Sequence, residues 1–396
     1  MEKKYLFSPG PTMLPQDILL KMAEPIIHHR EAEYEAIFQE VREGLRYLFQ
    51  TKNEVLVFAS SGTGAMEGTV ANLLSSGDKA LVVRGGKFGQ RWEEICRVYG
   101  IEVRPIDVEW GEVVEPNVIE ESLEEDPSIR AVFTQVTETS TGVVHPIREI
   151  AEITGRYEET AIIVDAITGI GAIDIPMDVW NLDVVISGSQ KALMLPPGLS
   201  FVALSERAWN FVDRSNLPKY YFDFKKQRES ARKNQSTFTP AITLVIGLRE
   251  SLRKIRREGL KALFERHDLL ARATREAVKA LGLELFAAES PSNALTAVKI
   301  PEGIGADEIK SRFFEEYGIT VAGGQDQAKG KIIRIAHLGY YGRLDMIMVI
   351  SALEMVLREM GHQFELGAGV KAAEEVFIAL GGGPNGRGKN VPGIGG

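Results

Sequence analysis

The sequence predicts an α/β protein: a large domain on a mostly parallel seven-stranded sheet, followed by a smaller C-terminal α+β domain. Three observations carry this. Between Val55 and Phe201 short apolar runs alternate with helical patterns, the alternation of a parallel sheet wrapped by helices. After Pro240 the pattern turns helical for a long stretch. From Leu283 onward strand and helix signals return in shorter units.

Taken in order, strands are expected over 55–58, 79–83, 102–105, 131–134, 161–164, 184–187 and 199–204, most of them short apolar runs of the kind that lies buried in a sheet. Helices are expected between them over 65–74, 89–99, 147–157 and 207–214. The stretch after Pro240 reads as helices over 242–256 and 260–281, the second with Leu263, Leu270 and Ala277 at helical spacing. The smaller domain is expected to hold strands at 295–300 and 331–336, helices at 306–317 and 344–360, and a final helix at 370–380. Domain limits follow at 16–257 and 258–380, with residues 1–15 packing near the smaller unit. The tail, 381–396, contains Gly381-Gly382-Gly383-Pro384-Asn385-Gly386 and is too rich in glycine to order by itself.

With 396 residues, 44% of them hydrophobic, the chain can bury a sizeable core. A formal net charge of -9 argues against a nucleic-acid partner, so any anionic ligand must be held locally. The single cysteine, Cys96, excludes an intramolecular disulfide framework and fits a reducing compartment, with the cytoplasm as the expected location. The start, Met1-Glu2-Lys3-Lys4, has no apolar leader, and no window is apolar for long enough to span a bilayer, so no membrane partner is expected. The six histidines lack the spacing of a metal centre.

The chemistry gathers at strand ends. Ile162-Ile163-Val164 ends in Asp165, and Val184-Val185-Ile186-Ser187 leads to Lys191. Ligands of open α/β sheets collect beyond the carboxyl ends of the strands. A carboxylate and an amine placed there suit a pyridoxal phosphate site, where the first keeps the ring nitrogen protonated and the second holds the aldehyde covalently. Ser60-Ser61-Gly62-Thr63-Gly64-Ala65 follows a strand and opens a helix, so its amides and dipole can hold a phosphate. Its glycine spacing, G-x-G-x-x-x-G with Gly68, departs from the dinucleotide fingerprint. Phe88, in Arg84-Gly85-Gly86-Lys87-Phe88-Gly89-Gln90-Arg91, is placed to stack on a flat ring. The hydroxyls of Glu138-Thr139-Ser140-Thr141-Gly142 can donate to a phenolate or a carboxylate.

In this order the segments resemble the class V pyridoxal-phosphate aminotransferases, specifically the alanine–glyoxylate and serine–pyruvate group, over nearly the whole chain. The resemblance is carried by Ser8-Pro9-Gly10-Pro11, Ser61-Gly62-Thr63-Gly64, Gly86-Lys87-Phe88-Gly89-Gln90-Arg91, Glu138 to Gly142, Ser187-Gly188-Ser189-Gln190-Lys191 with Pro196-Pro197-Gly198, and Arg334-Ile335. It implies the pyridoxal-phosphate transferase fold, that of aspartate aminotransferase, and pyridoxal 5'-phosphate as cofactor. Thr63, Gly64 and Ala65 would bind the phosphate with Gln190 nearby. Phe88 and Ile167 would lie on opposite faces of the ring, Asp165 at its nitrogen and Thr139 near its hydroxyl. Lys191 would carry the cofactor, and Arg334 would fork onto the substrate carboxylate as a lysine could not.

Thr239, before Pro240, matches a phosphate contact made across a subunit boundary, so a homodimer with shared sites is implied. Phe88 stands where many relatives carry tryptophan, and Ser236 where some carry tyrosine. The implied activity moves an amino group from alanine or serine to glyoxylate or pyruvate with ping-pong kinetics. Aspartate or phosphoserine transamination is the nearest alternative and needs a second anion site that the sequence does not locate. A silent pyridoxal- or nucleotide-binding protein would have no use for Asp165, Lys191 and Arg334 together. Cysteine desulfuration is disfavoured, because Ala322-Gly323-Gly324-Gln325-Asp326-Gln327 contains no cysteine.

Overall fold

All seven expected strands of the large sheet form. In the computed structural model, which describes residues 3–381, they are β1 (Val55–Phe58), β2 (Lys79–Arg84), β3 (Glu102–Asp107), β4 (Ile129–Gln135), β5 (Ala161–Asp165), β6 (Val184–Gly188) and β7 (Ser200–Leu204). Their order in the sheet is β1-β7-β6-β5-β4-β2-β3. Neighbours from β6 to β3 run parallel, while β7 is antiparallel to both β6 and β1. The reversal has a local cause: the return from Gly188 to Ser200 contains no helix, and a parallel return needs a crossover that a helix usually provides.

Both faces of the sheet are covered. Along β5, Ile162 and Val164 enter one core and Ala161 and Ile163 the other, the alternation that a strand imposes. The first core is closed by Ala32–Phe49, Pro116–Glu125, Ile147–Thr154 and Ile242–Glu258, and the second by Gly62–Leu73, Lys87–Val98 and Glu206–Arg214. Pro105 falls in β3, an edge strand, where a missing donor is tolerated.

The smaller sheet is antiparallel: β8 (Glu284–Leu285), β9 (Leu295–Lys299), β10 (Ala322–Gly323) and β11 (Ile332–Ala336), in the order β8-β9-β11-β10. The helices Leu260–Ala280, Ala306–Tyr317, Arg343–Glu359 and Ala368–Gly381 accompany it. Tyr5–Leu6 pairs in parallel with Ile319–Thr320, and the Ala336 amide donates to the Phe7 carbonyl at 2.8 Å. These bonds bind the N-terminal segment to the smaller sheet. Helices Gln16–Met22, Ala32–Phe49, Pro116–Glu125 and Phe224–Arg232 were not expected from the sequence. The expected glycine-rich tail lies outside the described residues except for Gly381, which ends the last helix. Among the described residues no helix is long and apolar enough to cross a membrane.

Candidate active site

β5 and β6 lie side by side in the middle of the sheet, and they deliver Asp165 and Lys191 to the same end of it. Asp165 closes β5, opposite Gln135 of β4 and Ile186 of β6. It is buried and accepts a 2.8 Å hydrogen bond from the Ile167 amide, and no cation pairs with it among the described residues. Burial pushes its carboxyl up to about 7; the Ile167 amide opposes this, Glu138 adds to it, and Lys191 and Arg91 oppose it. Lys191 follows β6 in a turn held through its carbonyl, which accepts from the Met194 amide at 3.0 Å and from Thr12 Oγ1 at 3.1 Å. Burial brings its amine down to about 8, helped by the positive charge of Arg334 and opposed by Asp165. An acid and an amine that both titrate near neutrality, each buried and each within the field of the other, are equipped to exchange protons with a ligand.

The N-terminal segment passes directly over this lysine. A Cβ at Gly10 would lie 2.6 Å from Lys191 Cε and 2.7 Å from its Nζ, so a side chain there would push the lysine stem aside. Gly10 stood in a segment carrying the resemblance, but its reason, a side chain far along the chain, was not visible in the sequence.

Beyond β1, helix Gly62–Leu73 begins within the expected phosphate turn. Ser61 precedes it without capping it through its side chain, which leaves the helix end available to an anion. Thr63 and Gly64 are half-buried and Ala65 is buried. A Cβ at Gly62 would sit 2.4 Å from Ile167 Cδ1, so the turn packs directly against the residue that follows Asp165 by two. Arg91 donates to Thr63 Oγ1 at 3.3 Å, and its guanidinium carbon stands 4.9 Å from the centre of the half-buried Phe88 ring. The Gln190 side-chain oxygen is buried with no hydrogen-bond partner among the described residues, as is the Ser187 hydroxyl.

β11 brings Arg334 across from the smaller sheet. Its Nε donates to the Gly323 carbonyl at 3.0 Å and its Nη1 to the Thr139 carbonyl at 2.8 Å, while the Thr139 and Thr168 hydroxyls lie 2.6 Å apart. Burial lowers the guanidinium to about 10, against the pull of Glu138. These ties join the two sheets at the site.

One expected residue stands apart. Thr239 is exposed and lines a small cavity with Tyr34, Tyr221, Ser236 and Phe238, a cavity that none of the other expected site residues lines. Cys96 is buried in helix Lys87–Val98, with its thiol pushed up by burial. His337 is engaged with Thr296 and Asn293. Among the described residues no group of three His, Cys, Asp or Glu side chains is arranged to hold a metal ion. Gly10, Arg91 and Glu138 all lie in segments that carry the resemblance, but their partners are distant in the chain and only the fold gives them a role.

The arrangement fits pyridoxal phosphate. Asp165 is a buried carboxyl without an ion pair, and Lys191 is a buried amine within its field. The unpartnered Gln190 oxygen can accept from a ligand donor, and the turn at Gly62 presents a helix end that no side chain caps. Comparison with known proteins gives the same answer. The family model described as Aminotransferase class-V matches residues 4–348. The chain is 44% identical over 381 residues to a protein of Synechococcus sp. named "Soluble hydrogenase, small subunit", covering 95% of this chain and 99% of the other. It is 36% identical to the L-aspartate–glyoxylate aminotransferase of Paracoccus denitrificans, covering 94% and 96% of the two chains. The crystal structure of alanine–glyoxylate aminotransferase from Nostoc sp. superposes with a TM-score of 0.86 at 31% identity, covering 90% of this chain and 96% of that one. With a family match of this extent on a site so furnished, the chain belongs to the class-V aminotransferases and is a transaminase whose cofactor is pyridoxal phosphate.

Proposed function

We propose that this aminotransferase takes the amino group of a small L-amino acid, alanine or serine, and passes it to glyoxylate or pyruvate in two half-reactions that use one site in turn. The observation that carries the reading is Arg334, a buried guanidinium whose charge reaches Lys191. The two aminotransferases compared above share glyoxylate in their names and differ in the donor, so the donor is what the experiment must decide.

Pyridoxal phosphate, when bound, supplies the electron sink that stabilises charge at the substrate Cα. The chain's own residues do the rest. Thr63, Gly64 and Ala65 would hold the phosphate, with Gln190 beside them. Phe88 and Ile167 would confine the ring. Asp165 would be the group that keeps the ring nitrogen protonated, ionised by that contact. Lys191 would hold the cofactor through Nζ and, when that amine is free, would be the base at the substrate Cα; an amine near pH 8 has a useful population of its basic form at neutral pH. Arg334 clamps the substrate carboxylate with its fork, and the Thr139 hydroxyl orients the bound ligand. Thr239, exposed in one chain, serves the site of a second copy, so the working unit is a homodimer. The division into units at 257/258 is supported by the helix break at Gly259, where φ is 83°. A cytoplasmic location rests on the single buried cysteine. The hydrogenase name of one relative brings no thiolate set with it, since one cysteine cannot supply the ligands of a cluster.

The test is a panel of alanine, serine, aspartate and phosphoserine as donors, each against glyoxylate and pyruvate. Alanine or serine is expected to exceed aspartate by about tenfold or more in kcat/KM, with parallel double-reciprocal lines. Aspartate or phosphoserine as the best donor, or intersecting lines, would sink the reading. Arg334→Lys, which replaces a fork by a point charge, is expected to raise KM for the donor by about 10- to 100-fold with a smaller change in kcat. An unchanged KM would move the carboxylate contact elsewhere.

A further inference from the structure

Glu138 is a buried carboxylate for which the reaction has no step. It lies in the short hairpin of Thr137–Glu138 and Val143–Val144, beside Thr139. Its Oε2 accepts from the backbone amides of Phe88 and Gly89, each at 3.1 Å. Its Oε1 accepts from the Ser140 amide at 3.1 Å and the Ser140 hydroxyl at 2.5 Å. The Ser140 oxygen in turn accepts from the Lys87 amide at 3.0 Å. Burial pushes the carboxyl up, but the groups that hydrogen-bond to it are all donors, and donors satisfy the ionised form. The amides of Lys87, Phe88 and Gly89 open helix Lys87–Val98, where the helix dipole also favours negative charge. The fit is tight: a Cβ at Gly86 would lie 2.4 Å from Glu138 Cδ and 2.5 Å from Ser140 Oγ.

Both ends of this cluster reach the active site. The helix end carries Phe88, and the hairpin presents the Thr139 carbonyl that holds Arg334 Nη1 at 2.8 Å. We propose that Glu138 is a positioning residue: by clasping the helix of Phe88 to the hairpin of Thr139, it fixes the ring-stacking side chain and aims Arg334 at the substrate carboxylate. The inference rests on the reading of Phe88 and Arg334 given under Proposed function. Hydrogen bonds to an ionised acceptor are roughly twice as strong as neutral ones, so a carboxylate makes a stiffer clasp than an amide of the same shape.

The test uses the full-length holoenzyme with Glu138→Gln, and Ser140→Ala for comparison. Glutamine keeps the size of the side chain but cannot offer two acceptor oxygens to four donors. Hydrogen exchange at the Phe88 and Gly89 amides is expected to accelerate by about tenfold or more, and KM for the amino donor to rise by about tenfold with a smaller fall in kcat. Ser140→Ala leaves the Phe88 and Gly89 bonds in place and is expected to leave exchange at those two amides unchanged. Should Glu138→Gln not fold, Gly86→Ala drives a methyl into the same cluster and is expected to give the same pattern. Unchanged exchange at both amides overturns the clasp. An equal rise of KM in Ser140→Ala overturns the link to Arg334. Because exchange reads the clasp without reference to substrate, its failure is distinguishable from that of the functional reading, which Arg334→Lys addresses alone.

Discussion

Lys191→Ala is expected to lower the rate of amino-group transfer by about 10⁴-fold, the upper range for loss of a positioned acid–base group, because the same amine holds the cofactor and moves the proton. The fold should survive the change. The turn is anchored through the Lys191 carbonyl, by Thr12 and Met194, and these bonds do not involve the side chain. Gly10, which the lysine stem crowds, gains room. Replacing a buried amine by a methyl also removes a desolvated charge, so thermal stability of the cofactor-free variant is expected to match or exceed that of the parent. Lys191→Arg should be no better than alanine, since a guanidinium stays protonated at any working pH. Small primary amines supplied in solution are expected to restore part of the rate to Lys191→Ala, as a base delivered from outside would. Turnover within tenfold of the parent, or borohydride labelling elsewhere than at Lys191, would end this assignment.

How far the sequence announced this site depends on how far apart its partners lie. Asp165 and Lys191 were legible because a buried parallel strand reads as an unbroken apolar run, and a charged residue at the end of one stands out against it. The six buried strands of the large sheet were legible from such runs, while β3, an edge strand with Glu102 and Arg104 among its residues, alternates exposed and half-buried positions instead. Helix Ala32–Phe49 was legible and passed over: Ile37, Phe38, Val41, Leu45 and Leu48 recur at helical spacing and are all buried. Helix Phe224–Arg232 was not, because it buries only Phe224, Gln227 and Ala231, too few to mark a face. Arg334 could be named only through the family resemblance, since nothing local distinguishes it from a strand arginine in an ion pair. Glu138 sits in a hydroxyl-rich segment that reads as a turn; its partners at Phe88 and Gly89 are brought to it by the fold alone. Thr12, 179 residues from Lys191, shows the same limit. Thr239 was named by resemblance, and a single chain leaves it on the surface.

Asp165→Asn is expected to reduce transfer by about 10³-fold, because a neutral amide cannot hold a proton on the ring nitrogen and the electron sink is weakened at the step where charge develops. The substitution also leaves a signature in the protein without cofactor. In the folded chain the Asp165 carboxyl titrates at about 7, above its ordinary value of 3.8, because burial disfavours the charge. Between those values the folded state keeps a proton that the unfolded state has released. The group's contribution is therefore fully present below about pH 4 and is lost as pH rises through about 7, a fall on the order of a few kcal/mol. Lys191 acts in a higher window. Its amine titrates at about 8 when folded and 10.5 when unfolded, so between these values the unfolded state holds the extra proton and stability climbs with pH. The two groups together contribute a trough around pH 7 to 8 to the stability profile of the cofactor-free protein. Subtracting the melting profile of Asp165→Asn from that of the parent isolates the lower arm, since other buried carboxyls such as Glu138 and Asp183 are common to both. A difference profile that is flat from pH 4 to 7 would show that Asp165 is not held protonated, and would remove the premise that the cofactor's ring nitrogen is what ionises it.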